Sequence, residues 1–442
     1  MKNKRSLFIL LIFLITFISS LFSTTSLANT TSLNIYSPHC IVMEASTGKI
    51  IYEKDAYTKV SPASTTKIMT AILTLEHCQL TDTATVSHNA IYSVPLGYAH
   101  AYLKEGEVLT IEQLLHVLLI PSANDAANVL AEHIAGSINS FTTMMNTKAL
   151  ELGCQNTNFV NTNGIQENNH YSTAYDLAIM GRYAMQNETF RNIVSKTKYT
   201  LPATNKYLEN NRFFEATNEL IVPDDRDSVD NYYYPYATGI KTGYTNTAGE
   251  CIVASAKKDD KEFIAVILGA ERTENGLSGR FIDCKNIFNY AFENYTTHTI
   301  NEENTVLKQV KVSNTGLFQR NLDVIIKDKI TLVLKKDTNI STITPTVEIT
   351  SDLTAPISKN AVIGTITYNV DGNTYTSDLL AGSDIAESNN ITTILTILSI
   401  LLVVYFLYKL LNCENKKKSS KKRKKSKSSR KNKKDKDDFL YW

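Results

Sequence analysis

The chain has 442 residues, of which 43% are hydrophobic, with 17 glycines and 9 prolines. This composition fits two or three globular domains of about 100–200 residues each, and it excludes collagen-like and low-complexity chains. The net charge of +2 conceals an uneven distribution of charge along the chain. Residues 29–390 contain 28 basic and 40 acidic side chains, whereas residues 413–442 contain 14 basic and 4 acidic ones. Such a separation indicates that the two parts lie in different compartments.

The first 28 residues have the pattern of a secretory signal peptide. Three basic residues among the first five precede an almost wholly apolar run, Leu7–Phe22, and Ser26–Ala28 offers a cleavage site of small residues. The alternative is an uncleaved membrane anchor. We therefore expect residues 1–28 to direct the chain across a membrane.

Residues 35–297 mix strand and helix patterns and are predicted to form one α+β domain. A charged turn, Lys257–Lys261, joins two apolar runs and predicts neighbouring strands. Strands are predicted at Ile41–Met43, Lys49–Tyr52, Glu250–Ala256 and Phe263–Leu268, and helices at Thr65–His77, Ile111–Ile120, Asp125–Ile134 and Tyr175–Met185. The long polar stretch Thr204–Tyr236 is predicted to be a loop near a site entrance.

Residues 298–382 lose the helical periodicity and show short alternating runs. Asp371-Gly372 is a strong hairpin signal. This pattern of short alternating runs predicts a small all-β sandwich. Its strands are predicted at Val306–Val312, Leu322–Ile326, Ile330–Val333, Val347–Ile349, Val362–Tyr368 and Thr374–Thr376.

Residues 391–411 are predicted to be a transmembrane helix. The uncharged run Ile391–Tyr408 would span about 27 Å as a helix, close to the hydrocarbon thickness of about 30 Å. The basic tail, 412–442, follows directly, and the positive-inside rule places it in the cytoplasm and the larger part of the chain outside. A basic tail could instead bind nucleic acid, but no nucleic-acid-binding fold is recognisable, so we expect anchoring and no nucleic-acid partner.

The cysteines do not form a framework. Five are scattered through the predicted external part, without CxxC spacing, and no pairing can be assigned. The sequence therefore predicts neither a metal site nor a cofactor.

Ser64-Thr65-Thr66-Lys67 begins a predicted helix. Positions i and i+3 share a helix face, so Ser64 Oγ and Lys67 Nζ can meet beside unpaired backbone N–H groups. This suits a serine nucleophile with a lysine base. An N-cap serine and a solvated lysine are the alternative. The same spacing also occurs at Ser195–Lys198, Ser255–Lys258, Ser419–Lys422 and Ser428–Lys431.

Ser122-Ala123-Asn124 lies between Pro121 and the helix predicted from Asp125. Its two polar side chains could bind Lys67, the nucleophile and a substrate amide, with helix capping as the alternative. The same tripeptide pattern occurs at Ser87–Asn89, Ser137–Asn139 and Ser388–Asn390.

Lys241-Thr242-Gly243 occurs once, just before the strand predicted at Glu250–Ala256. On an extended strand Lys241 and Gly243 face one way and Thr242 the other. Glycine would let a ligand backbone approach closely. Alone, K-T-G is a common surface tripeptide.

The three motifs, in this order, match the set of class A β-lactamases and penicillin-binding proteins, with S-A-N in place of S-D-N. The surrounding residues resemble the D-alanyl-D-alanine carboxypeptidases, the low-molecular-weight penicillin-binding proteins, from about 35 to 297 and on into the β-module. The segments that carry the resemblance are Pro62–Ala71, Pro121–Ala127, Phe159–Gly164, Tyr171–Leu177, Thr238–Thr245 and Ala355–Gly364.

This resemblance implies a β-lactamase/transpeptidase-like α+β catalytic domain, with an antiparallel sheet and helices, followed by a small β-sandwich. It also implies a serine-type enzyme that removes the terminal D-Ala from peptidoglycan stem pentapeptides through an acyl-enzyme and that is acylated by β-lactams. Peptidoglycan lies outside the membrane, in the compartment predicted for the catalytic part. A Gram-positive source fits this arrangement.

Carried onto this sequence, the resemblance makes Ser64 the nucleophile and Lys67, with a depressed pKa, the base that takes its proton. Ser122 relays the proton to the leaving D-Ala, and Asn124 orients Lys67 and the substrate.

The resemblance also assigns the substrate-binding residues. Lys241 and Thr242 hold the terminal carboxylate, with Arg280 as a candidate second partner. Gly243 and Tyr244 belong to the same substrate-binding set, and the backbone N–H groups of Ser64 and Tyr244 form the oxyanion hole.

Three other functions fit part of the pattern. A serine β-lactamase would need a deacylating glutamate, and none is identifiable. A non-catalytic receptor for peptidoglycan or β-lactams would use the basic tail as its signal output. A structural wall-spacer protein would need none of the motifs.

Overall fold

The computed structural model describes residues 33–224, 230–315, 320–387, 391 and 394–412. The predicted signal peptide and almost all of the basic tail lie outside the described residues. The chain divides into two compact units. The first ends at Thr297 and also takes Val333–Lys336, and the second takes the remainder from His298.

The first unit contains eight α-helices and nine complete β-strands among its described residues. The helices are α1 (Lys67–His77), α2 (His88–Tyr92), α3 (Ile111–Leu119), α4 (Asn124–Ala135), α5 (Ile138–Glu151), α6 (Ala174–Ala184), α7 (Glu188–Val194) and α8 (Gly279–Asn294). The strands are β1 (His39–Glu44), β2 (Ile50–Lys54), β3 (Thr83–Thr85), β4 (Val108–Thr110), β5 (Lys198–Leu201), β6 (Arg212–Glu215), β7 (Ala237–Thr245), β8 (Gly249–Lys258) and β9 (Lys261–Ala270).

A five-stranded antiparallel sheet, in the order β2-β1-β9-β8-β7, organises the first unit. Successive side chains of a strand point to opposite faces, and both faces are buried here. Ile41 and Met43 of β1 pack in the core that contains the residues of α1, α3 and α4, whereas Cys40 and Val42 pack in the core that contains α8. The sheet therefore lies between a helical layer and α8, with β7 at its edge.

The predicted strands at β1, β2, β8 and β9 are confirmed, and so are the helices α1, α3, α4 and α6. The predicted start of α1 needs a correction, because Ala63–Thr66 forms a 3-10 turn and the α-helix begins at Lys67. The stretch 204–236 was predicted to be a loop, which is wrong in part. It contains β6 and the 3-10 turn Glu219–Ile221, and Tyr232 and Tyr234 are buried in the core beside α8.

The strands that follow β9 along the chain are β10 (Tyr295–Asn301), β11 (Val306–Val312), β12 (Arg320–Ile326), β13 (Ile330–Lys335), β14 (Thr346–Ile349), β15 (Val362–Val370) and β16 (Asn373–Ala381). In the second unit, a five-stranded antiparallel sheet has the order β11-β12-β16-β15-β14. Asp371 and Gly372 both have positive φ and join β15 to β16, which confirms the predicted hairpin.

A ninth helix, α9, spans Ile394–Asn412 and is long and apolar enough to cross a membrane. Its 19 residues give a length of about 28 Å. This span is consistent with the predicted membrane anchor.

Candidate active site

Ser64 and Lys67 meet where the 3-10 turn passes into α1. Ser64 lies inside the turn Ala63–Thr66, and Lys67 is the first residue of the α-helix. Lys67 Nζ lies 2.9 Å from Ser64 Oγ. Among the residues that the structure describes, no side chain caps this turn, so the alternative of an N-cap serine is wrong.

Lys67 is fully buried among carbonyl oxygens. Its Nζ lies 2.7 Å from Asn124 Oδ1 and 2.7 Å from the Asn163 carbonyl oxygen. Burial first, and then the charge of Lys241, hold the pKa of Lys67 well below its usual value, against an opposing effect of Asp125. A neutral amine has two hydrogens for these two acceptors, which leaves its lone pair for the Ser64 hydroxyl.

The second motif is held rigidly beside Lys67. Asn124 donates from its backbone N–H and from Nδ2 to the Ala99 carbonyl, at 2.9 and 3.0 Å, which turns Oδ1 towards Lys67. Ala123 is the N-cap of α4 and no side chain caps the helix, so the capping alternative is wrong here too. Ser122 has a φ of +70°, and among the described residues its buried Oγ has no hydrogen-bond partner.

The third motif lies on the edge strand β7, against the nucleophile. A Cβ atom placed on Gly243 would lie 2.8 Å from Ser64 N and 3.0 Å from Ala63 Cβ, so only glycine fits this contact. Lys241 is 1% exposed and its Nζ donates to the Thr242 carbonyl. Burial, and then the charge of Arg280, lower the pKa of Lys241 to about 7.

The other predicted binding residues have different surroundings. Thr242 Oγ1 lies 2.5 Å from Thr217 Oγ1. Arg280 Nη1 donates to the Gly243 carbonyl at 2.9 Å, so Arg280 reaches the backbone of β7. The Tyr244 side chain is 61% exposed.

The competing matches to the motifs have ordinary structural roles. Lys198 is exposed and pairs with Glu215, and Ser255 bonds Thr238 inside the sheet. Ser87 and Ser137 cap α2 and α5. The matches at Ser388, Ser419 and Ser428 lie outside the described residues.

Sequence reasoning gave no role to three residues that contact the motifs. Asn163 supplies a carbonyl to Lys67, Thr217 touches Thr242, and His170 bonds Thr66. Asn163 belongs to Phe159–Gly164, which carried part of the family resemblance, so that segment was the available signal.

Titratable groups elsewhere in the described ranges form no cluster of three or more histidine, cysteine or acidic side chains that could hold a metal ion. The five described cysteines are free thiols, and all but Cys78 are buried.

Residues of all three motifs therefore lie together around Ser64 and Lys67, in an arrangement that resembles the serine–lysine sites used for acyl transfer. Residues 25–272 match the family described as D-alanyl-D-alanine carboxypeptidase, and residues 295–387 match the C-terminal domain of penicillin-binding protein 5. The chain belongs to the D-alanyl-D-alanine carboxypeptidase family.

Individual relatives agree with this assignment. The D-alanyl-D-alanine carboxypeptidase DacF of Bacillus subtilis (strain 168) is 32% identical over 400 residues, which cover 88% of this chain and 95% of DacF. A peptidoglycan synthesis regulatory factor (PBP3) of Streptococcus pneumoniae has a similar structure, with a TM-score of 0.68 and 26% identity over 80% of this chain and all of that one. The Streptomyces K15 DD-transpeptidase gives a TM-score of 0.53 at 33% identity, over 59% of this chain and 98% of its own.

These likenesses confirm the predicted fold class, an α+β catalytic domain of the transpeptidase/β-lactamase type followed by a β-sandwich domain. They also confirm the predicted enzyme class, a serine-type D-Ala-D-Ala carboxypeptidase.

Proposed function

We propose that Ser64 is the nucleophile with which this carboxypeptidase removes the terminal D-Ala from peptidoglycan stem pentapeptides. The observation that carries the proposal is the position of Lys67 Nζ, buried and 2.9 Å from Ser64 Oγ. Burial, and then the charge of Lys241, lower the pKa of Lys67, which favours the neutral amine that can act as a base.

In the acylation step, Lys67 takes the hydroxyl proton while Ser64 Oγ attacks the carbonyl carbon of the penultimate D-Ala. The negative charge on the carbonyl oxygen is stabilised by the N–H groups of Ser64 and Tyr244. When the intermediate collapses, the C–N bond breaks and the D-Ala amine leaves with the proton from Lys67, relayed by Ser122. Water then hydrolyses the ester and releases the shortened peptide.

In this proposal, residues of β7 bind the substrate. Protonated Lys241 and the Thr242 hydroxyl hold the free carboxylate of the terminal D-Ala, next to the close contact of Gly243 with Ser64. Arg280 donates to the Gly243 carbonyl, so we propose that it holds β7 in place and adds positive charge to the pocket. The alternative is that Arg280 contacts the substrate carboxylate directly. A β-lactam would acylate Ser64 in the same way, since its amide bond takes the place of the scissile one.

We also propose a single-pass membrane protein. The catalytic domain, 35–297, and the β-sandwich, 298–382, would lie outside the membrane, with the span at 391–411 and the basic tail, 412–442, in the cytoplasm. The apolar helix α9 supports this arrangement, and the charge separation along the sequence supports its direction. Protease treatment of intact cells tests it, because a tail cleaved from outside would reverse the topology.

Release of D-Ala tests the function. The full chain in detergent is incubated with a stem peptide that ends in D-Ala-D-Ala. We expect release by the wild type and by Ser195→Ala, whose serine has the same S-x-x-K spacing, and a loss of at least about 10⁴-fold in Ser64→Ala. Covalent penicillin labelling without D-Ala release would favour the receptor, and rapid penicillin turnover the β-lactamase.

A further inference from the structure

Two hydrogen bonds connect a buried histidine to the residue before Ser64, and a third orients the histidine ring. His170 Nδ1 accepts from the Val160 backbone N–H at 3.1 Å, and His170 Nε2 lies 2.9 Å from Thr66 Oγ1. Thr66 Oγ1 in turn lies 2.8 Å from the Ala63 carbonyl oxygen. The side chains of His170 and Thr66 are buried.

The direction of these bonds is fixed by the donors. Because His170 Nδ1 accepts a backbone N–H, the proton of the neutral ring is on Nε2, which donates to Thr66 Oγ1. Thr66 has a single hydroxyl hydrogen, and it goes to the Ala63 carbonyl. Burial, and then the charge of Lys67, lower the pKa of His170 to about 4, so the ring is neutral at neutral pH.

The end of this chain of bonds is the peptide group between Ala63 and Ser64. A trans peptide is planar, so the direction of the Ala63 carbonyl fixes the opposite direction of the Ser64 N–H. Ala63 has a φ of +45°, a strained value for a residue with a Cβ atom, and needs neighbouring contacts to hold it. Gly164 packs so tightly here that a Cβ atom on it would lie 1.8 Å from the Ala63 oxygen.

We propose that His170 is a positioning residue that acts through Thr66 to hold the Ala63–Ser64 peptide plane and so aims the Ser64 N–H at the developing oxyanion. This inference depends on the proposed function, which makes Ser64 the nucleophile and its N–H an oxyanion donor. The effect belongs to the transition state, because the substrate carbonyl carries little charge before attack. It should therefore appear in kcat and in the acylation rate, with KM nearly unchanged.

Substitutions of Thr66 and His170 in the full chain test this proposal. Acylation by a chromogenic cephalosporin, and kcat and KM for a D-Ala-D-Ala peptide, are measured at 25 °C together with thermal unfolding. We expect Thr66→Val to lower kcat and the acylation rate by about 10–100-fold with KM within about twofold, since losing one oxyanion donor costs about 10²–10³-fold. Thr66→Ser, which keeps the hydroxyl, should restore both to within about threefold.

Variants of His170 provide the second part of the test. His170→Phe should match Thr66→Val, and the double variant should lose no more than either single one, because both changes break the same chain of bonds. His170→Gln, which can still donate to Thr66, should fall between the wild type and His170→Phe. Variants that unfold at lower temperature yet acylate at the wild-type rate would overturn the proposal, as would losses confined to KM or a failure of Thr66→Ser to rescue. A wild type that releases no D-Ala would instead refute the proposed function.

Discussion

The two units contain similar sheets but treat polar groups differently. Each has a five-stranded antiparallel sheet, yet the first buries Lys67, Asp125, His170 and Lys241 close to one another, whereas no charged side chain is buried among the described residues from 298 onward. Burying charged groups is costly unless they are paired. The difference indicates that the first unit accepts this cost, and the result is the depressed pKa of Lys67.

The largest loss of activity is expected when Lys67, the proposed proton acceptor of the first unit, is replaced. Lys67→Arg keeps a long cationic side chain but cannot become neutral, because the guanidinium is always protonated. We expect acylation and D-Ala release to fall by at least about 10³-fold. Lys198→Arg, at the exposed S-x-x-K match, is the control, and D-Ala release is the measurement. Activity within tenfold of the wild type would rule out Lys67 as the base.

A glycine pair tests how tightly the nucleophile turn is packed. Gly164→Ala places a Cβ atom 1.8 Å from the Ala63 oxygen, whereas Gly153 has a similar positive φ with nothing within 4 Å. We expect Gly164→Ala to lower the free energy of unfolding by about 1–3 kcal/mol more than Gly153→Ala and to slow acylation about tenfold or more. Chemical denaturation and cephalosporin acylation measure the two effects. Equal behaviour of the two variants would contradict the close packing.

The pKa shifts predict two limbs in the pH dependence of kcat/KM. The base Lys67 must be neutral, so activity rises as the pH increases through its depressed pKa. Lys241 must be protonated to hold the carboxylate, so KM should increase as the pH rises above about 7 in the free enzyme.

Lys241→Arg separates these limbs. Its guanidinium stays charged, so we expect the alkaline increase in KM to disappear while kcat/KM falls about 10-fold from the altered shape. Steady-state kinetics from pH 5 to 9 provides the test. An unchanged alkaline limb in Lys241→Arg would show that another group causes it.

The smallest effect on activity is expected from the second unit. Leu322 is fully buried there, and Leu322→Ala should destabilise that unit by about 2–5 kcal/mol. The kcat for D-Ala release should stay within about twofold of the wild type at 25 °C. A tenfold loss of kcat with both units folded would show that the second unit contributes to the chemistry.

The sequence predicted the elements with strong periodicity and missed those stabilised by tertiary packing. The strands β8 and β9 are long apolar runs with a charged turn between them. Helix α5 is rich in threonine and asparagine, which are weak helix formers, and it buries only a narrow stripe of side chains. Its helical structure depends on packing that the local pattern does not reveal.

The residues of the candidate site also divide into those that the sequence predicted and those that only the fold reveals. Ser64, Lys67 and Asn124 were predicted because their side chains carry recognisable chemistry at fixed spacings. Asn163 contacts Lys67 through its backbone carbonyl, which every residue type offers, so its side chain carries no signal and only the family resemblance of Phe159–Gly164 pointed to this segment. Thr217 reaches Thr242 from a distant segment, and such a contact follows only from the fold.

The central claim is that all three motifs serve one hydroxyl, and locating a penicillin adduct tests it most directly. The full chain is acylated with a β-lactam, digested, and examined by mass spectrometry. We predict a single adduct on Ser64 that is absent in Ser64→Ala and unchanged in Ser195→Ala. An adduct on any other residue, or labelling that persists in Ser64→Ala, would contradict the account.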